Sequence, residues 1–166
     1  IPREALSALN ISETEKENFI KEANKLFTEI KADYTKTETN LTLEIIENGE
    51  INSAPISESD TKKIIDLLCE LPNGVMINST KIKDLVETSL SLGVLRTSEN
   101  AITIEMLLRS SVNADLKALS EKLEDIAEIY NADFTADSSY PSWEYNENSE
   151  LRKLFTGKPE HIVNLF

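Results

Sequence analysis

The chain has 166 residues, 40% of them apolar and 28% charged, enough to bury a core as one domain or two small subdomains. Its 30 acidic side chains outnumber 17 basic ones, for a net charge of −13, which repels phosphate backbones and anionic lipid surfaces, so neither nucleic acid nor a membrane is an expected partner. No apolar run approaches the ~20 residues of a membrane-spanning helix.

The chain opens on Ile1-Pro2-Arg3-Glu4, which lacks the apolar stretch of a signal peptide. It does not start with methionine, so a processed or excised piece is expected. Residues 1–11 read as an extended lead-in. Ser12 to Glu15 has the form of a capping box, a hydroxyl followed three residues later by a carboxylate. Such a cap is worth about 1 kcal/mol. Phe19, Ala23, Phe27 and Ile30, widened by Ile20 and Leu26, recur at helical spacing and predict a helix over 13–33. Leu41, Leu43 and Ile45 alternate with polar residues and predict a half-buried strand. Asn48-Gly49 and Pro55 mark a turn and a loop.

A second helix is expected from Ser57–Asp60 to Leu71, stopped by Pro72-Asn73-Gly74. Cys69 is the one cysteine, so no disulfide can form within the chain. In the apolar run IIDLLCEL it is expected as a small buried hydrophobe, compatible with a reducing compartment. Val75-Met76-Ile77 predicts a short strand, and a brief helical segment is expected at Thr80–Leu85. Residues 86–97 and 101–111 read as two long strands joined by a turn near 97–100. On the second strand, Ile102, Ile104, Met106 and Leu108 define one face, and Thr103, Glu105, Leu107 and Arg109 the other.

Leu116, Leu119, Leu123, Ile126 and Tyr130 give the clearest helix, capped by Ser111 or Asn113 and ended by Asn131 in the left-handed conformation. A strand at 132–137, a polar and aromatic stretch containing Tyr140-Pro141-Ser142-Trp143, a short helix at 149–155 and a strand at 162–166 complete the chain. The order of elements predicts an α+β fold: a ferredoxin-like antiparallel sheet with helices packed on one face.

Most catalytic chemistries find no support. The single histidine, His161, and the single cysteine follow no ligand spacing, so no metal site is expected within the chain. No EF-hand loop, GxSxG elbow, Walker loop or GxGxxG is present. Arg109 stands out, since it follows the apolar Met106-Leu107-Leu108 on a strand. A guanidinium fork matches the two oxygens of a carboxylate. On the residues alone, Arg109 either grips a carboxylate ligand or pairs with Glu105 or Glu87. The expected turn places Thr88-Ser89-Leu90-Ser91 opposite it, so the hydroxyls of Ser89 and Ser91 either help hold a polar ligand or face water. Asn73 is either part of a helix-ending turn or a ligand contact. The aromatic loop at 140–143 either lines a cleft or covers the sheet edge.

IPREA at 1–5, LPNGV at 71–75, VETSLSLGV at 86–94, LLRSS at 107–111 and YPSW at 140–143 occur in an order that resembles the aminoacyl-histidine dipeptidases, cytosolic di-zinc peptidases of bacteria. The part resembled is their lid, or dimerisation, domain. The resemblance implies a ferredoxin-like lid over residues 1–148, with 149–166 starting the return into a catalytic domain. It implies two zinc ions held by that catalytic domain and none by this chain. It also implies a dipeptide substrate with a free C-terminal carboxylate, a homodimer and a cytoplasmic location. Arg109 matches the lid-strand arginine of the pattern. Ser89 and Ser91 lie in the VETSLSLGV motif and Asn73 in LPNGV, and the three stand beside Arg109 as candidate substrate-binding residues.

Four departures stand beside the match. Ser91 replaces the usual asparagine, and Ser142 the usual glycine, of their motifs. The chain also begins after the family's His-Ser-Gly segment and ends where relatives continue to a zinc-binding histidine. The expected function is therefore the lid of a zinc dipeptidase, inactive by itself. The alternative is a stand-alone ferredoxin-like module that binds a small ligand or dimerises without catalysis.

Overall fold

The computed structural model of the chain describes residues 3–47, 54–137, 142, 146 and 149–156. It forms two units, Arg3–Glu58 and the residues from Ser59 onward.

The first unit is built on helix α1, Glu13–Tyr34. Ser12 precedes it in extended backbone, but its hydroxyl makes no backbone cap. Ser12 Oγ instead donates to Glu15 Oε2 at 3.1 Å. The N–H groups of Glu15 and Lys16 go to the Ser12 carbonyl at 3.0 and 3.1 Å. Neither side-chain-to-backbone bond of a capping box is made among the described residues, so removing the hydroxyl should cost less than a full cap. No residue of α1 is buried. Ile20, Ala23 and Phe27 are half-buried, while Leu26 and Ile30 of the expected stripe are 55% and 48% exposed. The expected strand over 41–45 is not a strand, since 41–46 has no ladder partner among the described residues. Alternation alone is not enough without a neighbouring strand to take the backbone hydrogen bonds. Asn48-Gly49 lies outside the described residues.

The second unit holds the sheet. Helix α2, Glu58–Glu70, leads through Gly74, at φ 101°, into β1, Gly74–Asn78. That left-handed backbone suits a residue without Cβ. The segment between β1 and β2 is a turn rather than the expected helix. Ser79 Oγ accepts the N–H groups of Lys81 and Ile82, both at 3.3 Å, and Asp84 sits at φ 63°. These are the bonds of a helix N-cap, but the left-handed backbone at Asp84 ends the turn before a helix can extend. Strands β2, Val86–Thr97, and β3, Ile102–Ser110, follow as expected. The sheet is antiparallel in the order β1-β2-β3. Its β2–β3 register runs Ser89↔Arg109, Leu90↔Leu108 and Leu92↔Met106, then shifts by one residue before Val94↔Glu105. Gly93 is the extra residue, a β-bulge.

Burial alternates strictly along β3, and the two faces divide as the sequence predicts. The core lies on the face of Leu90, where Met76, Met106, Leu108, Leu71 and Phe134 pack around Leu90, Leu119 and Leu123. Leu119 and Leu123 come from helix α3, Asn113–Ile129, whose buried residues are Leu119, Leu123 and Ile126. The architecture is α+β: a three-stranded antiparallel sheet with helices. Three further expectations fail in this unit. Val112, not Ser111 or Asn113, is the N-cap of α3, with no side-chain cap bond. Residues 132–137 form no strand; Phe134 turns into the core instead. Cys69 is exposed rather than buried, because α2 turns Ile64, Leu67, Leu68 and Leu71 inward and Cys69 away.

Asn131 ends α3 as expected, at φ 50°. Its N–H reaches the Glu128 carbonyl at 2.9 Å, and Ala132 N–H reaches Ala127 at 2.8 Å. This pair of bonds is a Schellman motif. Asn131→Ala is expected to cost about 1 kcal/mol of unfolding free energy, the penalty for a Cβ in the left-handed region. Asn131→Gly should be neutral or mildly stabilising. Urea titration of the two variants checks the ordering; equal stabilities would contradict it. A short helix α4, Glu150–Thr156, matches the one expected near 149–155. Tyr140, Pro141, Trp143, His161 and the strand expected at 162–166 lie outside the described residues.

Candidate functional site

The face of the sheet opposite the core carries the residues singled out from the sequence. Ser89 is the register partner of Arg109 on one side and of Val75 on the other. The three therefore form a row across β1, β2 and β3, with neighbouring strands about 4.8 Å apart. Ser91, partnered with Leu107, lies two residues along β2, about 6.7 Å from Ser89 on the same face. Extending the Gly74↔Leu90 register by one step puts Asn73 beside Ser91. The fold thus gathers Arg109, Ser89, Ser91 and Asn73 within two steps along the two ladders that share β2.

Arg109 is exposed, and no ion pair to it is made among the described residues. Neither carboxylate expected as its internal partner takes it. Glu105 is engaged by Arg96, at 3.7 Å, across the bulged part of the hairpin. Glu87 makes no salt bridge to it. Among the described residues nothing takes the guanidinium fork, on a face that also exposes Val75 (52%) and Leu107 (49%). Ser89 and Ser91 are half-buried, and no hydrogen bond commits their hydroxyls among the described residues. Asn73 is half committed, since its Oδ1 accepts the Leu92 N–H at 2.9 Å. That bond continues the β1–β2 ladder past the start of β1 and leaves the Asn73 amide NH2 as a donor.

The cations with shifted titration lie elsewhere. The hydrogen bond that Lys16 donates to the Glu47 carboxylate raises its pKa, helped by the nearby Glu13 carboxylate, and the bond that Lys62 donates to Asp66 does the same for Lys62. Both are surface pairs. Among the described residues, no three His, Cys, Asp or Glu side chains gather to form a metal-binding group. No helix of the described residues is long and apolar enough to cross a membrane.

Sequence reasoning missed one feature of this region. Thr88 is 1% exposed and bonds Ser110 at 2.8 Å on the core side, directly behind the Ser89–Arg109 pair. The signal was present in the strict alternation of Thr88-Ser89-Leu90-Ser91, which sends Thr88 and Ser89 to opposite faces.

No protein-family model matches the chain. Over 165 residues, 99% of its length, it is 31% identical to the cytosol non-specific dipeptidase of Escherichia coli strain K12. The chain is homologous to part of a dipeptidase. It spans about a third of that relative, 34% of its length. The crystal structure of aminoacylhistidine dipeptidase from Vibrio alginolyticus is similar over 86% of this chain and 29% of that one. The TM-score there is 0.72 at 27% sequence identity. The dipeptidase resemblance carried by the five motifs therefore holds at the level of sequence and of fold.

Proposed function

We propose that this chain is the lid domain of a cytoplasmic, zinc-dependent Xaa-His dipeptidase, and that it receives the C-terminal carboxylate of the dipeptide. The observation that carries this reading is the Arg109 fork, unpaired among the described residues, beside Ser89 and Ser91 on an exposed sheet face. The homology with part of a dipeptidase supports it. In this reading residues 1–148 form the lid and 149–166 begin the return into the catalytic domain. The lid closes against its own catalytic domain and also serves a homodimer.

Arg109 donates two parallel hydrogen bonds to the carboxylate. Ser89, and Ser91 one step along β2, supply further donors, as does the Asn73 amide. Binding fixes the dipeptide from its C-terminal end and turns the scissile bond toward the other domain, so the lid's contribution is positioning. The described residues do not fit a zinc ion, and the two zinc ions of the reading belong to the catalytic domain.

The test is an assay of the full-length gene product, prepared with zinc, against Xaa-His dipeptides and their C-terminal amides. Hydrolysis of the free acids and not of the amides is expected, with the isolated chain inactive. Equal cleavage of acids and amides overturns the carboxylate role. A reading frame limited to this chain, with saturable binding of a free amino acid, would replace the lid with a stand-alone binding module.

A further inference from the structure

We infer that Thr88 and Ser110 are positioning residues for Arg109, through a buried hydroxyl pair that holds the end of β3 in register. This rests on the reading of Arg109 as a carboxylate grip. Arg109 is the second-last residue of β3, Ile102–Ser110, and β3 is an edge strand among the described residues. Edge-strand ends open most readily, because few bonds lie beyond them. A guanidinium placed there needs something that stops the strand from peeling away.

The ladder identifies what does so. Ser111 N–H donates to the Glu87 carbonyl at 3.0 Å, which makes Glu87 and Ser111 a hydrogen-bonded position. In an antiparallel ladder such positions alternate with open ones. Thr88↔Ser110 is therefore the open position, where facing side chains come closest, and Ser89↔Arg109 is again hydrogen-bonded. The close approach is used: Thr88 Oγ1 and Ser110 Oγ lie 2.8 Å apart. Ser110 Oγ also accepts the Val112 N–H at 3.0 Å, tying the strand end to the N-cap of α3. Thr88 is 1% exposed, so water does not replace a lost partner there. The hydroxyl pair, the Ser111 bond and the Val112 bond are what the described residues provide beyond Arg109.

The test compares Thr88→Val, which removes the hydroxyl at nearly constant shape, with Thr88→Ser, which keeps it, in the full-length gene product. One hydrogen bond's worth of looseness should raise KM for a free-acid Xaa-His dipeptide by about three- to tenfold in Thr88→Val, with kcat within about twofold of wild type. Thr88→Ser should restore KM. The double variant Thr88→Val/Arg109→Ala should be no worse in KM than Arg109→Ala alone, because Thr88 acts through Arg109. In the chain itself, exchange of the Arg109 amide hydrogen should quicken in Thr88→Val while that of Leu90 stays slow. A wild-type KM in Thr88→Val, or penalties that multiply in the double variant, overturns the positioning role. Unchanged KM in Arg109→Ala overturns instead the carboxylate reading beneath it. If Thr88→Val does not fold, Ser110→Ala in the exchange measurement decides: unchanged exchange of the Arg109 amide counts against the inference.

Discussion

Arg109→Ala in the full-length gene product is expected to lower kcat/KM for free-acid dipeptides by about 30- to 5,000-fold, the equivalent of about 2–5 kcal/mol for a desolvated charge pair that loses one partner. The range depends on how dry the pair becomes. An ion pair left in water contributes about 0–1 kcal/mol, and in this chain Arg109 is exposed. The larger effect therefore requires that a second surface cover it when substrate binds, as the lid reading states. Nothing within the described residues softens the loss, because the cation beside Glu105 is Arg96, which is committed to that carboxylate. Arg109→Lys should recover only part of the rate, since an ammonium cannot match both carboxylate oxygens. The C-terminal amide of the same dipeptide should be insensitive to either substitution. A loss below threefold in Arg109→Ala would sink the assigned role, and an equal loss on acid and amide would show a structural effect instead.

The neighbourhood of Arg109 was legible in the sequence because the physics that sets it is local. A turn near 97–100 and two alternating strands fix which residues face each other, and the observed Ser89↔Arg109 partnership falls within the window that the turn predicts. Gly93 shifts the register by one, and nothing in the alternation announces it. The clear helix over Asn113–Ile129 was legible for the same reason: its leucines repeat at the helical period and Asn131 supplies the left-handed stop. The failures arise where a local pattern needed a distant partner or met a local stop. Leu41–Ile45 has the pattern of a strand but no ladder among the described residues, and 132–137 is spent on delivering Phe134 to the core. At 80–85 the Ser79 hydroxyl caps Lys81 and Ile82 as it would a helix, but Asp84 in the left-handed region stops the helix from extending. Cys69 was judged by the apolar run around it, when its angle on the helix decides its exposure.

The same geometry makes the core behind the site fragile. Leu90→Ala is expected to destabilise the sheet unit by about 2–5 kcal/mol, toward the upper end of that range. Leu90 is 2% exposed and stands between Gly74 on β1 and Leu108 on β3, with Leu119 and Leu123 of α3 in the same cluster. A cavity there is walled by three strands and a helix, so it cannot close by the shift of one side chain. The fully buried apolar set is small, Leu90, Leu119, Leu123 and Ile126 among the described residues. A domain holds only about 5–15 kcal/mol in total, so this one truncation removes a large share. Leu95→Ala is the control. Leu95 lies beyond the bulge, opposite Ile104, and is 47% exposed, so its loss should stay near 1 kcal/mol or below. Urea unfolding of the two variants followed by circular dichroism gives the comparison. A Leu90→Ala penalty no larger than that of Leu95→Ala would mean that the core is centred elsewhere. The backing of the Ser89–Arg109 pair would then have to be sought away from Leu90.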